Sequence, residues 1–213
     1  SIKLYLNSYN MVKFGNDIGT AIFDAEEQIM NDLSAALDTD VKVFLHRYDD
    51  GDAVGPFRKQ FERLEEMVHL EEITFDAYNE DPSIIQMEKA DGSVYKVTTN
   101  ALRSNCRVTN QPDWGDVYIA IEGAEETPTP DSLLQYIVSM RKENHFHEEI
   151  CECIYKRLYD LYDGQEDVDI FVGCLYTRRG GIDINPVRCS TELMLEEYAP
   201  ALMDVTEPHK KTE

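Results

Sequence analysis

Three clusters of residues combine types and spacings that chemistry can use. The densest is Ser104-Asn-Cys-Arg-Val-Thr-Asn-Gln-Pro-Asp-Trp-Gly115. Cysteine attacks as its thiolate, and Arg107 beside Cys106 is placed to lower the thiol pKa. Asp113 lies close enough in sequence to move a proton as attack builds charge on nitrogen or oxygen. On pattern alone a lone cysteine is more often a small buried hydrophobe, and Asp113 reads equally well as a turn residue after Pro112.

The second cluster, Glu143-Asn-His-Phe-His-Glu-Glu149, opens a helical pattern. His147 and Cys151 are four apart on one helical face, a spacing open to a zinc pair, but His145 and Cys153 fall off that face and the ligand count is poor. Its acidic residues can equally complement a helix dipole. The third cluster is Tyr176-Thr-Arg-Arg-Gly-Gly-Ile-Asp-Ile-Asn-Pro186. Arg178 and Arg179 beside Gly180 put a guanidinium fork next to open backbone, which suits phosphate. The same residues in a hairpin are more often a solvated turn. The chain has neither a Rossmann glycine motif nor a P-loop, so a nucleotide would be held in some other way.

These clusters need elements to position them. Ser104 to Gly115 reads as a polar loop between a strand near Tyr95 to Thr99 and a strong strand at Val117 to Ile121, whose β-branched run is followed by the acidic turn 122–130 and a helix cap near Asp131. Phe146 to Tyr162 carries Ile150, Ile154 and Leu158 at helical spacing, and Val168 to Val172 then alternates as a strand. Asp24 to Leu37 has the same helical spacing at Ile29, Leu33 and Leu37, followed by a β-like run from Val41 to Leu45. Ser1-Ile-Lys-Leu-Tyr-Leu-Asn-Ser8 can be laid over Ser132-Leu-Leu-Gln-Tyr-Ile-Val-Ser139, which points to an internal duplication. Asp49 to Glu66 reads as a charged connection, Glu71 to Tyr78 alternates as a strand, and Asn79-Glu-Asp-Pro82 is a break. The expected division is therefore 1–79 and 80–213, with a final strand after Pro186 and a frayed polar tail from about Tyr198.

A chain of 213 residues, 42% of them hydrophobic, can bury a real core. It contains no apolar run long enough for a bilayer and no signal-peptide pattern, so a cytoplasmic protein with no membrane partner is expected. The formal net charge of -22 repels phosphate backbones and argues against direct nucleic-acid binding. Phosphate-bearing ligands are left with small basic islands at Lys3, Arg141-Lys142 and Arg178-Arg179. Five cysteines (Cys106, Cys151, Cys153, Cys174 and Cys189) at irregular spacing suit free thiols in a reducing compartment.

Together the three clusters resemble the QueF nitrile reductases, the NADPH-dependent 7-cyano-7-deazaguanine reductases of queuosine biosynthesis. The residues that carry the resemblance are Ser104 to Gly115, Phe146-His147-Glu148 and Tyr176 to Pro186, with Ser1 to Ser8 similar to the end of the family's Glu-Ser-Lys-Ser-x-Lys-Leu-Tyr signature. It implies an α+β tunnelling fold (T-fold), in tandem, with antiparallel sheets and paired helices on one face. Residues 1–79 would be the C-terminal part of a first unit lacking its opening strands, and 80–213 a complete second unit in β-β-α-α-β-β order. Cys106 would attack the nitrile carbon to form a thioimide, Asp113 would protonate nitrogen, and two hydride transfers from NADPH would yield the aminomethyl product. His147, Glu148 and Phe146 would hold 7-cyano-7-deazaguanine; Arg178, Arg179, Gly180, Ser1 and Lys3 would contact NADPH, and no metal is implied. Closed barrels of the T-fold imply at least a homodimer. The Glu-Ser-Lys start of the signature precedes Ser1, so the expectation is a fragment of a longer protein, in which reduction by this chain alone would be severely impaired. Rival readings are a zinc hydrolase similar to GTP cyclohydrolase, a T-fold transferase acting on the captured nitrile, and a non-catalytic T-fold subunit.

Overall fold

The computed structural model describes residues 5–6, 8–45, 60–163, 165, 167–177, 182 and 184–203. The chain divides into two compact units, Ser1–Gly51 and Asp52–Glu213. In the first, helix α1 (Ile18–Leu37) starts earlier than its apolar spacing predicts because Asp17 caps it: the carboxylate accepts from the Thr20 backbone N–H at 2.9 Å and the Thr20 hydroxyl at 2.7 Å. The helix stops at Asp38, in the left-handed region at φ 53°. The strand expected at Val41 to Leu45 does not form. The N–H groups that a partner strand would use go to α1 side chains instead, Val41 to Ser34 Oγ and Leu45 to Glu26 Oε1.

The second unit is built on a sheet of five strands. β1 (Glu62–Arg63) and the short helix α2 (Leu64–Met67) are followed by β2 (Met87–Lys89), β3 (Val94–Asn105), β4 (Pro112–Glu122) and β5 (Glu126–Pro128). Then come α3 (Pro130–Ser139), α4 (His147–Leu161), β6 (Asp169–Tyr176), β7 (Val187–Cys189) and α5 (Glu192–Met203). The main sheet runs β1-β3-β4-β6-β7, with β1 parallel to β3 and the other neighbours antiparallel; β2 and β5 form a separate two-stranded ribbon. From β3 to β7 the two hairpins and two helices keep the β-β-α-α-β-β order. The α+β class is observed.

β4 explains why its apolar run has no polar face. Val117, Ile119 and Ile121 point into a core shared with α3 and α4, while Tyr118 and Ala120 point into a second core with Phe61, Phe171 and α5. Helices therefore cover both faces of the sheet, not one. The tail expected to fray from Tyr198 is helical to Met203, because Met194, Tyr198 and Leu202 recur four apart and are all buried. Tyr198 stacks on Phe171 with ring centroids 4.8 Å apart and donates its hydroxyl to Glu122 Oε1 at 2.6 Å.

The N-terminal edge of this unit also differs from expectation. Leu64 is fully buried in the first core and Val68, Ile73 and Phe75 pack against it, so the division falls at Gly51/Asp52 and not at 79/80. Glu71 to Tyr78 forms no strand: a 3-10 turn at Leu70–Glu72 leads into irregular chain, and the alternating Ile73 and Phe75 are anchors on the core with no ladder partner. The cap expected at Asp131 falls two residues earlier, with Thr129 at the N-cap and Asp131 in the first turn of α3.

Candidate active site

The loop predicted at Ser104 to Gly115 is mostly hairpin. β3 and β4 stay paired up to Asn105 opposite Pro112, with Ser104 opposite Asp113, leaving only residues 106–111 to turn the chain. Cys106 is the first residue off the strand. Its N–H donates to the Gln111 carbonyl and its own carbonyl accepts from the Asn110 N–H, both at 2.8 Å. Asn110 closes the turn at φ 54°, a conformation its side chain tolerates. The nucleophile candidate is thus held by backbone on both sides while its thiol stays half-buried.

That turn also sets the thiol's ionisation. The Thr109 hydroxyl, and then the Thr109 and Val108 amides, hydrogen-bond the sulfur and bring its pKa down to about 7 against burial and the charge of Asp113. Arg107, expected to do this, is committed elsewhere. Its guanidinium pairs with Glu149 at 2.8 Å, meets His145 Nδ1 at 3.2 Å, and lies over the Phe146 ring at 5.5 Å. Thr109 replaces Arg107 as the residue that activates the thiol.

Asn105 docks the start of α4 beside this turn. Its N–H donates to the Glu143 carbonyl at 2.8 Å, and its carbonyl accepts from the His145 N–H at 3.1 Å. Glu149 then accepts from the Phe146 N–H at 2.8 Å, which closes the helix start and, with Arg107 and His145 nearby, lowers the Glu149 pKa. The first residue of the helix, His147, is carried inward: its Nε2 lies 3.3 Å from Oδ1 of Asp113, which is only 4% exposed. The imidazole stacks on Tyr176, centroids 3.8 Å apart and planes 6° from parallel. Tyr176 is the last residue of β6, directly opposite Gly115. A Cβ on Gly115 would sit 2.9 Å from the Leu175 carbonyl and 3.2 Å from the Tyr176 ring, so the absent side chain makes room for the aromatic one.

The structure therefore sets His147 against Asp113 and places the Cys106 thiol within reach of the Asp113 charge. Phe146 sits exposed at the rim under Arg107, and Glu148 is exposed on the neighbouring face of the helix start, so His147 and Glu148 diverge within the chain. Arg178, Arg179, Gly180, Ser1 and Lys3 lie outside the described residues. All five cysteines are free thiols. Cys151, paired with His147 in the zinc reading, directs its thiol to the carbonyls of Val172 and Pro186, at 3.6 and 3.5 Å. Among the described residues no three His, Cys, Asp or Glu side chains gather as a metal cage, and no helix is long and apolar enough to cross a membrane. A cleft of about 1160 Å³ lined by Met87, Gly123 and Tyr162 lies at the other end of β4 and holds none of the reactive side chains. Thr109, Gly115 and Tyr176 all stood in quoted motifs but without a role.

A family model described as QueF-like protein matches residues 112–194. The NADPH-dependent 7-cyano-7-deazaguanine reductase of Colwellia psychrerythraea is 35% identical over 194 residues, 89% of this chain and 64% of that protein. The enzyme of the same name from Hahella chejuensis is 36% identical over 199 residues, 93% of this chain and 68% of its own length. This chain spans about two thirds of such relatives. The crystal structure of the archaeosine synthase QueF-Like in the apo form aligns with a TM-score of 0.40 and 16% identity, covering 47% of this chain and 96% of that one, a likeness too loose to add to the fold. With more than a third of its residues shared over most of the Hahella protein, the chain belongs to the QueF family, that of the NADPH-dependent 7-cyano-7-deazaguanine reductases.

Proposed function

We propose that the protein reduces the nitrile of 7-cyano-7-deazaguanine to the aminomethyl group with NADPH, in the cytoplasm and as a step of queuosine biosynthesis. The observation that carries this is a thiol with a pKa near 7 at the tip of a hairpin whose other strand begins with a buried aspartate. A nitrile carbon is electrophilic but has no leaving group, and capture by sulfur turns it into a species that can accept hydride.

The Cys106 sulfur adds to the nitrile carbon while the thiol proton passes to Asp113 and from it to the nitrile nitrogen, giving a thioimide. His147, with Nε2 3.3 Å from the Asp113 carboxylate, is placed to orient it. When bound, NADPH supplies hydride. Two such hydrides would take the thioimide through an imine to the amine, with Cys106 leaving as thiolate at the imine stage, so each nitrile would consume two NADPH. Phe146, His147 and Glu148 hold the deazaguanine base; a carboxylate such as Glu148 can accept two hydrogen bonds from its guanidine-like edge. For NADPH the donor set fits: Arg178 and Arg179 beside Gly180, with Ser1 and Lys3, supply cations and open backbone in a chain otherwise dominated by acid. Association of at least two copies belongs to the same reading.

The test mixes the full-length protein with 7-cyano-7-deazaguanine and NADPH, following NADPH absorbance and intact mass together. The expected result is two NADPH oxidised per nitrile and an adduct of the nitrile's mass that is missing in Cys106→Ala. NADPH oxidation that survives Cys106→Ala overturns the proposal.

A further inference from the structure

A histidine ring usually owes its orientation and tautomer to a hydrogen bond at its second nitrogen. His147 has no such bond. Nε2 faces Asp113, while Nδ1 is buried with no hydrogen-bond partner. The torsion that turns an imidazole about its Cβ–Cγ bond is broad and roughly two-fold, so the backbone alone does not fix the tilt of the ring against the carboxylate. What does hold the ring is a parallel aromatic face at 3.8 Å. That face is available because Tyr176 lies opposite Gly115, where a Cβ would stand 3.2 Å from the ring.

We infer that Tyr176, seated over Gly115, is a positioning residue that fixes the plane of His147 so that Nε2–H is presented to Asp113. The phenol ring does this, not its hydroxyl. Tyr176 is fully buried, its hydroxyl is engaged by Ser104 and not by the imidazole, and burial pushes its pKa well up, so it stays neutral. An Asp113 carboxylate can only accept, so the facing nitrogen must carry the proton and Nδ1 is left as the lone-pair side. A flat stack tolerates either nitrogen's chemistry but not a tilted ring, and a tilt would carry Nε2 away from the carboxylate. The kinetic arm of the test rests on the nitrile-reducing reading; the spectroscopic arm does not.

The experiment uses full-length protein with histidines labelled in ¹⁵N, comparing the parent with Tyr176→Phe, Tyr176→Leu and Gly115→Ala, each checked for a cooperative melt. Without substrate, His147 in the parent and in Tyr176→Phe should show one tautomer with the proton on Nε2. In Tyr176→Leu and Gly115→Ala the ring signals should average between tautomers. With the nitrile, the rate of adduct formation at Cys106 should fall by about 10²-fold in those two variants, as expected for a displaced proton-transfer group, with half-saturation little changed. Tyr176→Phe should restore both readouts. A single Nε2–H tautomer persisting in Tyr176→Leu and Gly115→Ala overturns the inference, as does a loss in Tyr176→Phe equal to that in Tyr176→Leu. A parent protein that forms no adduct while its tautomer responds as described sinks the nitrile reading and leaves the positioning role standing.

Discussion

A thiol that titrates near pH 7 is a nucleophile at neutral pH without help from a cation. Because Thr109 stabilises the ionised sulfur, removing its hydroxyl raises the pKa, and the thiolate then appears only at higher pH. Thr109→Val should therefore move the midpoint of the Cys106 alkylation-rate profile up from about 7 toward the ordinary thiol range of about 8.5. Arg107→Ala should leave that midpoint in place, since the guanidinium is occupied by Glu149 and His145. A midpoint that moves with Arg107 and not with Thr109 would reverse the assignment. Cys106, Asp113 and His147 were legible as residue types at motif spacing. Thr109 was not, because which neighbour reaches the sulfur depends on the left-handed Asn110, a backbone angle that composition does not report. Gly115 was hidden for a similar reason: its meaning lies in what stands opposite it across the sheet.

At the scale of elements, helix α4 was readable because it packs one apolar stripe on one core, and strands β4 and β6 because their continuous apolar runs serve a core on each face of the sheet. β3 was only half readable. Its inward residues are Val97 and Thr99, and then Leu102 and Ser104, because a bulge between Thr99 and Leu102 inserts a residue and shifts the alternation; the Thr99 hydroxyl accepts from the Ala101 N–H at 3.0 Å inside it. Strict period-two reading would turn Ser104 outward, and with it the approach to Cys106. α5 escaped notice because its buried residues, Met194, Tyr198, Ala199 and Leu202, are set among acids. Its anchoring is nevertheless substantial: Tyr198→Ala should cost about 3–5 kcal/mol, measured as a lower urea midpoint with an unchanged slope. A frayed tail, by contrast, would leave the midpoint unmoved. The segment 71–78 misled in the opposite direction, since two apolar anchors on a core imitate a strand over so short a run.

At the scale of the whole molecule the dominant quantity is the formal charge of -22. Self-repulsion of that size opposes the compact state and is screened by salt, so the melting temperature should rise by several degrees between about 0.02 and about 0.5 M NaCl. A flat or falling response in calorimetry would show that acids paired locally, as Glu122 is with Lys96 and Tyr198, already absorb the repulsion. The boundary expected at 79/80 and the compact units that part at 51/52 differ because the acidic stretch around 49–66 hides the apolar Phe61 and Leu64, which belong to the second unit's cores. The hairpin at 94–122 has a consequence for how the molecule comes together in time. Hairpins close in about 1–10 μs, long before distant segments dock. Thiol and carboxylate therefore meet early, by local folding, whereas the imidazole and phenol come from remote stretches of chain and arrive late. In between, a refolding chain carries a reactive sulfur with nothing over it. Recovery from denaturant should accordingly depend on added reductant far more than storage of the native protein does.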